Sequence, residues 1–133
     1  MPEPLHGDSL DASLTVTDLE RSATWYTTIL GFTVDRRHER DGRLMAVSLK
    51  AGAVRLLLTQ DDGARGPDRS RGEGLSLRIT TRQDIDALAA SITAQGVTLD
   101  TEPMTAHGYR IFRLHDPDGF RFTVSTPHRV CLM

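Results

Sequence analysis

Apolar and polar residues alternate along several short stretches of the chain, and each such stretch predicts a half-buried β-strand. In the first half, one stretch has the helical spacing of apolar residues instead, with Thr17 or Asp18 as its N-cap. Gly31 is the predicted end of this helix. The predicted elements are a strand at 10–17, the helix at 19–30 and strands at 32–40, 44–50 and 54–60.

The same order of elements returns after a polar, glycine-rich stretch at residues 62–74, which predicts a linker. A second helix is predicted with its cap at Thr81 to Asp84 and its end at Gly96. The predicted elements of this half are a strand at 75–80, the helix at 85–95 and strands at 97–102, 109–114 and 120–126. The chain therefore contains an internal repeat of one strand, one helix and three strands.

This repeat predicts an α+β fold for a single domain over residues 1–133, with module one at about 9–61 and module two at about 75–127. Two βαβββ modules are expected to form a curved mixed sheet around a concave cleft, with the helices outside. The closing hairpin of module two contains Asp116-Pro117-Asp118-Gly119, in which proline presets the backbone and Gly119 takes a positive φ. This turn is expected to set the register of the strand that follows.

Composition excludes several classes of function. The formal net charge of -2 leaves no strong basic field for nucleic acid or an anionic membrane surface. No apolar run approaches the ~20 residues that a membrane span needs, and the first residues do not resemble a signal peptide. A single cysteine, Cys131, cannot form an internal disulfide, which fits a reducing compartment. We therefore expect a cytoplasmic protein whose partners include neither nucleic acid nor membrane.

Several short motifs, taken in order, resemble those of the vicinal oxygen chelate (VOC) superfamily, also described as glyoxalase, bleomycin-resistance protein and extradiol dioxygenase. The matching motifs are Val16-x-Asp18-Leu19-Glu20-Arg21-Ser22, Trp25-Tyr26, Leu30-Gly31-Phe32 and Asp116-Pro117-Asp118-Gly119-Phe120. The resemblance extends from about Leu10 to Thr126 and implies the duplicated fold described above. This superfamily carries unrelated chemistries on one scaffold, so the resemblance alone selects no activity.

Metal-dependent members of that superfamily carry inward-facing His or Glu ligands on the first and last strands of each module. The resemblance places these positions at Asp11, at Leu56 or Leu57, at Gly74 and at Thr123. Only Asp11 is a plausible ligand, and a catalytic metal needs several nitrogen and oxygen donors that converge. We therefore expect no metal and no other cofactor.

The polar sides of the predicted strands instead supply candidate residues for binding a small organic ligand. The candidates are Asp11, Ser13, Leu56, Leu58, Ser76, Arg78, His107, Tyr109, Arg121 and Thr123. Arg78 and Arg121 could pair with a ligand carboxylate or aromatic face, or with Asp11; a salt bridge on a solvated sheet face is the alternative. His107 is a candidate because it precedes Gly108 in a connection expected near the cavity mouth.

The incomplete ligand pattern favours a non-enzymatic binder, similar to the bleomycin-resistance branch, which lacks metal ligands and sequesters an antibiotic. In that branch the pocket lies in the sheet cleft and is often completed across a homodimer, so a small-molecule ligand and a homodimer are expected. One alternative is a metal-dependent lyase, isomerase or dioxygenase that recruits His107, His115 and Glu73. Another is a metal-free enzyme in which Asp11 acts as general base beside Arg78.

Overall fold

The computed structural model describes residues 4–66 and 71–127, so Cys131 lies outside the described residues. The helices and strands, in chain order, are β1 Ala12–Val16, α1 Leu19–Thr28, β2 Thr33–Arg40, β3 Arg43–Ala51, β4 Val54–Gln60, β5 Ser76–Thr80, α2 Ile85–Thr93, β6 Thr101–Ala106, β7 Tyr109–His115 and β8 Arg121–Ser125. This order confirms the α+β fold with two βαβββ modules, and each module contains one mixed four-stranded sheet. Neither helix in the described ranges is long and apolar enough to cross a membrane.

The first compact unit contains most of module one and ends at Asp62. Its sheet has the order β1-β4-β3-β2, in which β1 runs parallel to β4 and the other neighbours are antiparallel. The Asp41-Gly42 turn joins β2 to β3, and both residues have a positive φ, 52° and 76°. A two-residue type I′ hairpin requires this conformation at both positions, so the sequence signal for the hairpin is confirmed.

The core of this unit consists of apolar residues that recur at the strand period in the sheet and at the helical period in α1. Asp18 is the N-cap of α1, because its Oδ1 accepts a hydrogen bond from the N–H of Arg21 at 3.1 Å. One face of α1 and one side of the sheet are buried. Their buried apolar residues are Leu14, Val16, Leu19, Ala23, Tyr26, Val47, Leu49, Leu56 and Leu58.

The second compact unit starts at Gly63 and also includes residues 28–30. Its sheet has the order β5-β8-β7-β6, with β5 parallel to β8, and α2 packs near β6 and β7. The N-cap of α2 is Asp84, whose Oδ1 accepts a hydrogen bond from Ala87 N–H at 3.1 Å. Thr81 instead accepts from Gln83 N–H at 3.1 Å, in the turn before the helix.

The second strand of module two lies later in the chain than the sequence pattern predicts. The pattern predicts it at 97–102, whereas β6 is Thr101–Ala106 and includes Pro103. A proline cannot donate a hydrogen bond to a neighbouring strand, and proline therefore argues against a central strand. Because β6 is the last strand of its sheet, only one of its edges is paired and Pro103 is tolerated there. The irregular register between Thr101 and Met104 is consistent with this position.

Candidate functional site

One side of the module-two sheet carries mainly polar side chains, as the alternation in the sequence predicts. Alternate residues of a strand share a side, and the apolar side carries Phe122 and Val124 of β8. The opposite side carries Ser76, Arg78, Thr80, Tyr109, Ile111, Arg113, His115, Arg121, Thr123 and Ser125. We call this the polar side of the sheet. Arg121 lies opposite Ser76 on β5 and opposite His115 on β7.

The turn between β7 and β8 is fixed by the carboxylate of Asp116. This residue is only 1% exposed, and its Oδ1 accepts hydrogen bonds from the N–H groups of Asp118 at 2.9 Å and Phe120 at 2.8 Å. Backbone hydrogen bonds from Asp116 N–H to Phe120 O, and from Gly119 N–H to Asp116 O, close the turn. Gly119 has a φ of 94°, which glycine adopts without steric cost. The turn therefore holds β8 in one register against β7.

Residues 71–73, at the end of the predicted linker, pack against this same turn. Arg71 Nε lies 4.0 Å from Asp118 Oδ1, and the two side chains are only 8% and 4% exposed. Gly72 has a φ of 71°, and a Cβ at this position would stand 3.0 Å from Cδ1 of the Phe120 ring. No larger residue fits there without displacing the ring. We call residues 71–73 the strap.

A cavity of about 670 Å³ lies against the strap, the Asp116 turn and the polar side of the sheet. It is lined by Arg71, Gly72, Glu73, Ser76, Asp100, Arg113, Leu114, His115, Gly119, Arg121, Phe122 and Thr123. All of these residues belong to the second compact unit. Three of them, Ser76, Arg121 and Thr123, are among the candidates selected from the sequence.

Some charged side chains of the cavity have an oppositely charged partner within the protein, and others do not. His115 Nδ1 lies 2.9 and 3.0 Å from the two carboxylate oxygens of Asp100. Because a carboxylate only accepts hydrogen bonds, Nδ1 carries the donated proton. Arg113 donates from Nε to Thr123 Oγ1 at 3.2 Å, which is a neutral partner. Within residues 4–66 and 71–127, the side chains of Arg121 and Glu73 form no hydrogen bond or ion pair.

Arg78 and Tyr109 form a second cluster on the polar side, next to the cavity but outside its lining. The Arg78 guanidinium carbon stands 4.3 Å from the centre of the Tyr109 ring. Arg78 Nη2 donates to Ser125 Oγ at 2.8 Å, and Ser125 in turn donates to Thr126 O at 2.7 Å. A stacked, hydrogen-bonded guanidinium of this kind stabilises the packing of three strands.

His107 lies in the two-residue turn between β6 and β7, where it and Gly108 have φ values of 52° and 84°. This turn is at the opposite end of β7 from His115. His107 is not among the residues that line the cavity described above. Its function in the structure is to close a tight hairpin.

The remaining candidates belong to the first compact unit. Asp11 is exposed and directly precedes β1, and Ser13 is exposed on β1. Ser13 lies opposite Leu57, whereas Leu56 and Leu58 lie on the buried side and are 4% and 0% exposed. The prediction that Leu56 and Leu58 share the side of Ser13 is therefore wrong. A shift of one residue along a strand exchanges its two sides.

The residues present do not fit the divalent metal that the resemblance implies. The positions that the resemblance assigns to metal ligands are Asp11, Leu56 or Leu57, Gly74 and Thr123. Leucine and glycine side chains offer no donor atom, and the Thr123 hydroxyl accepts a hydrogen bond from Arg113. Asp11 alone supplies a carboxylate, and one carboxylate does not hold a catalytic metal. In the described part of the chain, no group of three or more His, Cys, Asp or Glu side chains is placed to hold a metal ion.

The sequence predictions omitted several residues that line the cavity. Arg113 occupies a polar position in an alternating strand, and the register set by the Asp116 turn places it opposite Thr123. The register of β8 against β7 could therefore have predicted that Arg113 lies beside Thr123. Asp100 and the strap lie outside the regular elements, so no periodicity indicated their positions.

Solved structures with the same fold include several proteins of low sequence identity. A glyoxylase/bleomycin resistance protein/dioxygenase domain from Frankia sp. EAN1pec is 24% identical, with a TM-score of 0.75 over 96% of this chain and 96% of that chain. TnmS3, an antibiotic binding protein from Streptomyces sp. CB03234, is 22% identical, with a TM-score of 0.73 over 94% and 99%. TioX from Micromonospora sp. ML1 is 18% identical, with a TM-score of 0.74 over 92% and 100%. These similarities show the fold alone.

Sequence comparison identifies the family. No curated protein matches the chain significantly. The family model described as Glyoxalase/Bleomycin resistance protein/Dioxygenase superfamily matches residues 10–124, which span both modules and the Asp116 turn. The resemblance found in the sequence motifs is therefore confirmed. The chain belongs to the glyoxalase/bleomycin resistance protein/dioxygenase superfamily.

Proposed function

We propose that this protein binds a small organic ligand in the cavity of its second module, without a metal and without catalysing a reaction. The observation that carries the proposal is the cavity itself, with a volume of about 670 Å³. Ligand pockets for small molecules commonly measure about 300–1,000 Å³. TnmS3, which shares the fold, is an antibiotic binding protein, and this supports a small molecule as the class of ligand.

Contacts within the walls of the cavity support the same proposal. The carboxylate of Asp116 fixes the turn on one side, and the Arg71–Asp118 ion pair attaches the strap to that turn. A site that is ordered before the ligand arrives loses less conformational entropy on binding. The cavity is therefore suited to bind a ligand without large rearrangement.

A metal-dependent lyase, isomerase or dioxygenase has less support. The positions that would hold the metal carry aspartate, leucine, glycine and threonine, and only the aspartate is a usual metal ligand. For a metal-free enzyme with Asp11 as general base beside Arg78, the side-chain contacts of Arg78 in the described ranges are instead with Ser125 and Tyr109 of its own unit. Binding without turnover therefore remains the proposal.

A pair of matched variants on β5 tests whether this cavity is the binding site. Ser76 lines the cavity, and Thr80 lies on the same side of the same strand but outside the lining; both are exposed. We expect chelator-treated wild-type protein to bind the fluorescent probe 8-anilinonaphthalene-1-sulfonate. Ser76→Phe places a phenyl ring in the cavity and should weaken this binding at least about tenfold, which is about 1.4 kcal/mol, whereas Thr80→Phe should leave it unchanged.

Failure of the probe to bind, or equal binding by both variants, would contradict the proposed site. Elemental analysis of the purified protein addresses the metal separately. Stoichiometric zinc, nickel, manganese or iron would contradict the metal-free proposal. A homodimer and a cytoplasmic location are also proposals, on the grounds of the family resemblance and the composition; light scattering tests the first and cell fractionation the second.

A further inference from the structure

We infer that the ligand of this cavity is an organic anion, whose acidic group is bound by Arg113 and Arg121 while its apolar body occupies the remaining volume. The inference rests on the proposed function and adds the chemical class of the ligand. The acidic group is a carboxylate, sulfonate or phosphate, since all three present oxygen atoms that guanidinium groups bind.

Strand register places the two arginines on the same patch of sheet. Arg113 lies directly opposite Thr123, and Arg121 is two residues before Thr123 on β8. Arg113 and Arg121 are therefore diagonal neighbours, and the Cα atoms of such neighbours lie about 7–8 Å apart, within the reach of long side chains. Thr123 Oγ1 accepts a hydrogen bond from Arg113 Nε at 3.2 Å and holds the Arg113 side chain over the sheet.

The charge balance of the cavity favours an anion. Arg71 has Asp118 as an acidic partner, and His115 has Asp100. After these pairs are set aside, the lining of the cavity contains Arg113, Arg121 and a single acidic side chain, Glu73. Two guanidinium groups on one patch repel each other, and a bound oxyanion would relieve that repulsion.

Module one shows that the fold does not require these arginines. In its sheet, Leu57 lies opposite Ser48 and Thr59 lies opposite Ala46. The matching positions of module two are Arg121 opposite His115 and Thr123 opposite Arg113. The same scaffold therefore accommodates leucine and alanine where module two has its two cavity arginines.

The room beside the arginines suits an apolar body. Gly72, Ser76 and Gly119 line the cavity with small side chains or none. The methylene groups of the arginines add further apolar surface, because long charged side chains bury their stems and keep their charged ends in water. An aromatic or aliphatic acid combines both features that this cavity offers.

Two probes with almost the same ring system test the inference. 8-Anilinonaphthalene-1-sulfonate carries one negative charge, and N-phenyl-1-naphthylamine is its uncharged analogue. We expect the wild-type protein to bind the anion at least about tenfold more tightly than the neutral probe, as one charge-assisted hydrogen bond would provide. Added salt should weaken the binding of the anion and leave that of the neutral probe unchanged.

Variants assign the preference to the two arginines. Arg113→Gln and Arg121→Gln should each lower the affinity for the anion about tenfold and leave the neutral probe unaffected. Arg121→Lys, which keeps the charge, should retain part of the preference. Arg82→Gln is the control, since Arg82 is exposed in the same unit and does not line the cavity. Its affinity for both probes should equal that of the wild type.

The outcomes separate the inference from the proposed function. Equal binding of the two probes, or an equal loss of both in the glutamine variants, would overturn the anion preference and leave a small-molecule cavity. Failure of both probes to bind would overturn the cavity and the inference together. Thermal unfolding of each variant identifies any that lose affinity only because they are unfolded at the assay temperature.

Discussion

Replacement of Asp116 by alanine should destabilise the protein more than most single substitutions. The carboxylate accepts hydrogen bonds from the N–H groups of Asp118 and Phe120, and its side chain is 1% exposed. Alanine removes the oxygen that accepts both hydrogen bonds and leaves the Phe120 N–H buried without a partner. It also removes the hydrogen bonds that fix the turn, and this turn contains Gly119, which lines the cavity.

The magnitude follows from these two bonds. A buried donor left without a partner costs about 1–3 kcal/mol, and hydrogen bonds to a charged group are at the upper end. The N–H of Asp118 is only partly buried and can reach water, so its share is smaller. We expect Asp116→Ala to lower the free energy of unfolding by about 3 kcal/mol, with a fall in Tm of roughly 10 °C for a domain of this size.

Chemical denaturation of wild type, Asp116→Ala and Asp116→Asn measures this effect. The asparagine oxygen still accepts both hydrogen bonds but without a charge, so its cost should be about 1 kcal/mol. Asp116→Ala should also weaken binding of 8-anilinonaphthalene-1-sulfonate. If both variants unfold within about 0.5 kcal/mol of the wild type, the Asp116 carboxylate does not fix the turn.

Three further predictions address other parts of the structure. Gly72→Ala should cost about 1–2 kcal/mol more than Gly74→Ala, since both have positive φ but only Gly72 packs on a ring; denaturation of both measures the difference. Ser22 is buried and its Oγ has no partner among the described residues, so Ser22→Ala should leave stability unchanged or raise it by about 1 kcal/mol. Hydrogen bonds from Arg110 hold the pKa of Asp86 below its ordinary value, so the stability from this pair is present above about pH 4 and is lost as the pH falls through the lowered pKa. An NMR titration of the Asp86 carboxyl should show that pKa rise toward its ordinary value in Arg110→Gln, and an unchanged pKa would contradict the assignment.

The elements of this fold were largely predictable from local pattern and turn chemistry. The strand predicted at 54–60 after the Ala51-Gly52 turn and the hairpin predicted at Asp41-Gly42 are close to those observed. Which side of β4 faces the core was not predictable in the same way. Because Leu56, Leu57 and Leu58 are consecutive leucines, hydrophobicity could not indicate which of them faces the core. The pairing of β4 with β1 places Leu56 and Leu58 on the buried side.

The candidate site was predictable only where it lies on strands with clear alternation. Ser76, Arg121 and Thr123 line the cavity as their polar positions indicated. The strap was not predictable, because its glycine-rich sequence has no period and its position depends on packing against Phe120. Asp100 lies in a loop, where the spacing of residues in the sequence does not predict which way a side chain points.

The measurement that tests the central proposal most directly is an amide NMR titration of the chelator-treated protein with 8-anilinonaphthalene-1-sulfonate. We predict saturable shifts, at one probe per chain, that are concentrated at Gly72, Ser76, Gly119, Arg121 and Thr123. Shifts concentrated in residues 4–62, or the absence of saturable shifts, would contradict a ligand site in the second module.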